Sequence, residues 1–172
     1  MVSWFTRLFA LFFLVSTAMA LEAPQNEVIL VVSGKIAVTN GQGTASFDSD
    51  MLERLPQHQF TTLTPWYPEP RSFSGPLLRD LLALVKAEGA ELYVTALNEY
   101  ISHIPRTDAQ RYDVILARRI DGQLLRVRDR GPLFIIYPFD QQPSLKADTY
   151  YNRSVWQVKS IHIDDTSPPY AK

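Results

Sequence analysis

The chain has 172 residues, of which 46% are hydrophobic, 20% charged and 12% aromatic, enough for one domain with a sizeable core. Lys and Arg total 17 against 18 acids, a net charge of -1, so the basic excess of a dedicated nucleic-acid binder is missing. There are no cysteines, which excludes disulfides, zinc–cysteine sites, iron–sulfur clusters and thiol nucleophiles.

Residues 1–20 read as a secretory signal. Arg7 and the α-amino group give a positive start, residues 8–15 form an apolar run, and Ala18-Met19-Ala20 supplies the small-x-small pattern of a signal-peptidase site. The run is shorter than the roughly 20 apolar residues of a membrane-spanning helix. Cleavage after Ala20 leaves residues 21–172 as one exported, periplasmic domain that does not insert into the membrane. Its core is expected over 28–163, and a polar, frayed tail after 164.

Residues 27–38 are rich in Val and Ile and are interrupted by Ser33-Gly34, the pattern of a strand with a bend. Asn40-Gly41-Gln42-Gly43 is a turn. Met51 to Leu55 is a short helix, capped by Asp48 or Ser49 and stopped by Pro56. Residues 59–63 alternate as a strand does. Pro65, Pro68 and Pro70 then stand among Trp66, Tyr67 and Phe73, so residues 64–74 read as a stiff loop carrying aromatics.

The clearest helix begins near Pro76, with Ser74 or Gly75 as cap, Gly89 as stop and Leu77, Leu78, Leu81, Leu82, Leu84 and Val85 on its apolar face. Strands are predicted over 92–97, 114–119, 123–127, 133–137 and 154–163, with Asp121-Gly122 a hairpin turn. Few helices and many short strands make a mainly β, α+β domain.

His58, His103 and His162 lie far apart with no second ligand at metal spacing, and His103 is placed in a loop beside Tyr100 and Pro105. No nucleophile elbow or phosphate-binding glycine loop occurs. The denser polar sets fall in predicted loops: Asn98-Glu99-Tyr100, Thr107-Asp108, Asp129-Arg130 and residues 150–153 (Tyr-Tyr-Asn-Arg). Loop tips on a β scaffold are where sites are usually built.

Residues 73–82, Phe-Ser-Gly-Pro-Leu-Leu-Arg-Asp-Leu-Leu, resemble the F-x-G-x-x-L-R-D-L-L segment of the sulfite-oxidase-type fold, the oxidoreductase molybdopterin-binding domain. Ala96-Leu97-Asn98-Glu99-Tyr100 with Ile104-Pro105, Val114-Ile115-Leu116-Ala117 with Asp121-Gly122, Arg130-Gly131-Pro132-Leu133 through Tyr137-Pro138, and residues 155–161 resemble further stretches of that family in the same order. The resemblance covers most of residues 28–163. It implies a sulfite-oxidase-like fold, a molybdopterin cofactor and a metal-ligand cysteine ahead of the residue 73–82 segment. A threonine, Thr62 or Thr64, stands near that cysteine's place, and a hydroxyl is a poor ligand for a metal centre that prefers thiolates. The family's redox chemistry belongs to its cofactor, so loss of the ligand spares the fold and removes the basis for the reaction.

Two functions follow. The first is an exported module without molybdenum catalysis, in which the former cofactor cleft holds a small ligand or a partner such as a membrane-bound sensor. Thr62, Thr64, Trp66, Tyr67, Arg71, Asn98, Tyr100, His103, Asp108 and Arg130 are the candidates to line it. The second is a molybdopterin-dependent oxidoreductase with non-cysteine metal ligation. An aromatic-lined cavity near Trp66 and Tyr100 would count against a purely structural domain. For the signal, mass spectrometry of the secreted protein is expected to find Leu21 as the first residue; a start at Met1 would contradict cleavage.

Overall fold

Alternating burial, rather than local helix propensity, organises most of the chain. A computed structural model describes residues 21–166; the signal reading of residues 1–20 lies outside them. The first valine-rich segment forms β1 (Val28–Gly34), with Leu30 and Val32 inside. Asn40 then organises the turn: its side-chain amide donates to the Glu22 and Ser46 carbonyls and its carbonyl accepts the Ser46 N–H. The chain returns antiparallel as β2 (Ala45–Asp48) and enters α1 (Ser49–Glu53). Asp48 caps that helix by accepting the Met51 N–H at 2.9 Å.

The remaining strands are β3 (Gln57–Thr64), β4 (Tyr67–Pro76), β5 (Glu91–Ala96), β6 (Ile101–Pro105), β7 (Ile115–Ala117), β8 (Arg119–Ile120), β9 (Gln123–Leu124), β10 (Phe134–Ile136) and β11 (Val158–Asp164). They form a five-stranded sheet in the order β2-β1-β11-β5-β6, a four-stranded sheet β3-β4-β8-β9 and the pair β10-β7. Only β1 and β11 pair in parallel among the described strands; every other ladder is antiparallel. The helices α2 (Leu78–Leu84), α3 (Arg106–Arg111) and α4 (Asp148–Arg153) are short, so the domain is mainly β, as expected.

Several elements differ from the sequence reading. Residues 67–74 are strand rather than loop. Pro68 and Pro70 are tolerated because they share the parity of Ser72, whose N–H turns away from β3 to the Asp121 carboxylate. β8 pairs β4 only at Phe73 and Ser74, so neither proline removes a ladder bond. Ser74 and Gly75 also belong to β4 instead of capping a helix, and the helix ends at Val85 and a left-handed Lys86 rather than at Gly89. Leu84, expected on the apolar face, is exposed because the shorter helix turns it away from the core.

His103 lies on β6, Thr107 and Asp108 on α3, and residues 150–153 on α4, where loops were expected. The last strand starts at Val158, after a left-handed Gln157. Asp165 and Thr166, expected to fray, are tied down. The Asp165 carboxylate pairs with Lys35 and accepts the Ala90 N–H, and the Thr166 carbonyl accepts the Tyr93 hydroxyl.

Two contacts join the sheets. Arg118, with its side chain 4% exposed, reaches from the end of β7 to Glu53 of α1 and to the Ser49 hydroxyl at 2.6 Å, and it holds the Glu53 carboxyl below the usual range. Gly75 lies so close to β7 that a Cβ there would sit 2.1 Å from the Leu116 carbonyl oxygen. The neighbouring backbones are bonded as well, Arg118 N–H to the Ser74 carbonyl and Leu78 N–H to the Val114 carbonyl, both at 2.8 Å. Because the obstacle is backbone, Gly75→Ala is expected to destabilise the protein by about 2–4 kcal/mol, read as a lowered urea midpoint with unchanged slope.

Candidate functional site

A buried carboxylate fixes one wall of the site. Asp108 on α3 accepts the Tyr137 hydroxyl and an Arg153 guanidinium N–H, both at 2.8 Å on the same oxygen. Arg153 also lies over the Tyr150 ring, and Tyr150 and Tyr112 join their hydroxyls at 3.1 Å. Burial, reinforced by the Asp108 charge, pushes the Tyr137 phenol far above its ordinary value, so it stays a neutral donor. These contacts hold α4. Its Asn152 carbonyl accepts Ser102 Oγ at 2.9 Å and Tyr100 Oη at 3.3 Å, which seats the helix against β6.

Between α4, the β5–β6 turn and the residues before β4 lies a cavity of about 490 Å³. Its walls are Trp66, Trp156, Tyr151 and Tyr100, with Asn98, Asn152 and Asp148 supplying polar groups. Trp66 meets Trp156 edge-to-face at 5.7 Å and Tyr151 at 6.2 Å, and both tryptophans contact Phe134, so the aromatic wall is set by the core. Asn98, one of the lining residues, accepts the Tyr100 N–H through its side-chain carbonyl at 3.1 Å. Asp148 is the one lining residue with a formal charge.

On the other side of Trp156 is an open groove of about 810 Å³ lined by Arg71, Arg119, Arg126, Arg128 and Arg130 with Tyr67. Arg130 links the two spaces: its guanidinium lies 4.8 Å from the Trp156 ring centre and 5.5 Å from that of Tyr67. Its backbone is left-handed (φ 73), and its carbonyl accepts the N–H of Gln157, itself left-handed. Two non-glycine residues in this conformation bracket Trp156, a cost that persists only where the surroundings over-determine it.

The ten sequence candidates therefore do not share one cleft. Trp66, Asn98 and Tyr100 line the aromatic cavity, and Tyr67, Arg71 and Arg130 the arginine groove. Asp108 is buried behind α4 and acts by positioning it. His103 stands on β6 with Nε2 2.6 Å from Glu91 and its ring stacked on Tyr93, outside both spaces. Sequence reading had noted Tyr151 and Asn152 only as a polar loop set, and had not brought Trp156 or Asp148 to the site. The run of two tyrosines, Asn and Arg closely followed by Trp156 was the available signal.

Thr62 and Thr64, near the place the resemblance gives to a metal-ligand cysteine, are 1% and 5% exposed and line neither space. Thr62 Oγ1 accepts the Asp140 N–H at 3.1 Å, and the Asp140 carboxylate accepts the Leu63 N–H at 2.6 Å and pairs with Lys146 at 2.7 Å. Thr64 Oγ1 faces the Trp66 N–H. These oxygens are hard donors already engaged with backbone, and the residues present do not fit a thiolate-ligated metal centre. Among the described residues no cluster of three His, Asp or Glu side chains could hold a metal ion either.

No family model and no curated protein matches the sequence. The structure is similar to the sulfane dehydrogenase SoxCD from Paracoccus pantotrophus, with a TM-score of 0.60 at 20% identity, covering 86% of this chain and 40% of that one. The chain thus spans less than half the length of that neighbour. The fold is sulfite-oxidase-like, as the motifs imply.

Lys146 foremost, together with the Leu63 N–H, holds the Asp140 carboxyl below the usual range. Stability from this clasp is complete above the ordinary carboxylate value and is lost as pH falls through the lowered one. Asp140→Asn is therefore expected to lower the urea midpoint at pH 7. That gap to the unsubstituted protein should begin to narrow only below about pH 4, the ordinary carboxylate value, and vanish once pH has fallen past the lowered one.

Proposed function

We propose that this is an exported binding module that uses the aromatic cavity for a small ligand instead of carrying out molybdenum redox chemistry. The observation that carries the reading is the cavity itself, walled by Trp66, Trp156, Tyr151 and Tyr100 beside threonines that backbone contacts already occupy. Concave, aromatic-rich spaces with a few converging polar groups are the usual form of small-molecule sites. The ring faces and Asp148 favour a neutral or cationic compound with a flat or quaternary face over an anion. Occupancy would be sensed at α4 and the β5–β6 turn, the outer parts of the wall, which suits an accessory protein that reports to a partner in the same compartment.

Benzyltrimethylammonium is a suitable probe, followed by tryptophan fluorescence and calorimetry. Binding is expected to weaken about fivefold in Tyr100→Ala or Asp148→Asn, the loss of about 1 kcal/mol of cation–π or charge attraction. Both residues are exposed, so the fold should survive. Failure of the probe and its neutral counterpart to bind would remove the support for this reading. Stoichiometric molybdenum in protein made by a cofactor-competent host would overturn it in favour of the oxidoreductase.

A further inference from the structure

The arginine groove is not explained by a ligand in the aromatic cavity. Five guanidinium groups line it, those of Arg71, Arg119, Arg126, Arg128 and Arg130, against three carboxylates that pair with them, Glu53, Asp121 and Asp129. The pairings are shared: Glu53 serves both Arg118 and Arg119, and Asp129 serves both Arg126 and Arg128. Arg130 rests on the Tyr67 and Trp156 rings, and Arg71 shares the Tyr67 ring with it at 5.6 Å. A chain with a net charge of -1 thus concentrates a positive surplus in one place.

The same groove runs along the edge of a sheet. β9 is the last strand of the order β3-β4-β8-β9, and Gly122, Gln123 and Leu124 line the groove. In the tight β8–β9 hairpin the Leu125 N–H bonds the Arg118 carbonyl, and Leu124 stands opposite Arg119. Leu124 is therefore in a non-hydrogen-bonded pair, and its own N–H and C=O point outward from the sheet. Its side chain is 52% exposed. An exposed edge is a template for an added strand, and natural edges are blunted by charge unless a partner uses them. Here the charges are all of one sign beyond their pairings, which selects the added strand rather than only repelling it.

We infer that the groove is a docking surface for an extended acidic segment of a partner protein, which adds to β9 through Leu124 and lays its carboxylates among Arg119, Arg126, Arg128 and Arg130. Backbone bonds supply register and the arginines supply selection for acidic side chains. This surface is separate from the aromatic cavity, so its occupant is independent of whatever that cavity holds.

A fluorescently labelled hexaglutamate peptide and its hexaglutamine counterpart, followed by anisotropy on the chain from residue 21, test the inference. Only the acidic peptide is expected to bind, and to weaken about tenfold between 50 and 200 mM salt as the charges are screened. Arg126→Gln with Arg128→Gln should weaken it at least tenfold with no change in melting temperature, since both side chains are exposed. Leu124→Pro removes one outward N–H and no charge, and Pro is tolerated on an edge. It should also weaken binding severalfold, while Tyr100→Ala should not. Binding that ignores Leu124→Pro, equal binding of the glutamine peptide or of decathymidylate, or displacement by equimolar phosphate or sulfate would each overturn it.

Discussion

The approach of Gly75 to the Leu116 carbonyl is the contact on which the rest of the molecule depends. β4 belongs to the four-stranded sheet and β7 to a separate pair, and their backbones meet only because residue 75 has no side chain. From β7 the connection passes to β10, and from there to the five-stranded sheet through the Phe134–Trp156 bridge and the bond from Val158 N–H to the Leu133 carbonyl. Trp156 thus sits where the sheets are joined. Its ring is at once a core contact of Phe134, a wall of the cavity and a platform for Arg130.

The two spaces near Trp156 are built from different parts. The aromatic cavity is set by rings that pack on the core and by α4, which the buried Asp108 ties to α3 through Arg153 and to the core through Tyr137. An ion pair so buried costs desolvation and is retained where it fixes one arrangement, here the position of a six-residue helix that could not stand alone. The groove is lined by long arginine side chains from β4, β8 and residues 126–130, beside the two-residue β9. The pocket and the charged groove approach each other where Arg130 rests on the Trp156 ring, and no residue lines both.

Much of the framework could be read from residue order. Val and Ile richness located β1, alternation located β3, Asp48 announced the start of α1, and Asp121-Gly122 marked the β8–β9 hairpin, whose residues both take positive φ. The failures share a cause: local preference was overruled by what the neighbours supplied. Pro68 and Pro70 argue for loop until it is known that no strand lies on their N-side. Residues 101–105 carry His103 and a proline, and become strand because β5 pairs with them. Residues 148–153 are poor helix formers, and become helical because Asp108 and Ser102 anchor them. For the site, Trp66, Asn98 and Tyr100 could be picked from position and type, whereas Trp156 reads as part of the closing strand, and its place is set by the left-handed Gln157 that follows it and by the contact with Arg130.

The parallel pairing of β1 with β11 also governs when the fold can form. β11 is central in its sheet, between β1 and β5, yet it is the last of the described strands in chain order. Until it arrives, β1–β2 and β5–β6 are two hairpins with nothing between them, so half the hydrogen bonds of the largest sheet wait on the final tenth of the described residues. Contacts so distant in sequence close slowly. The two halves of the largest sheet are therefore joined last among the described elements, when β11 enters between hairpins that precede it in the chain.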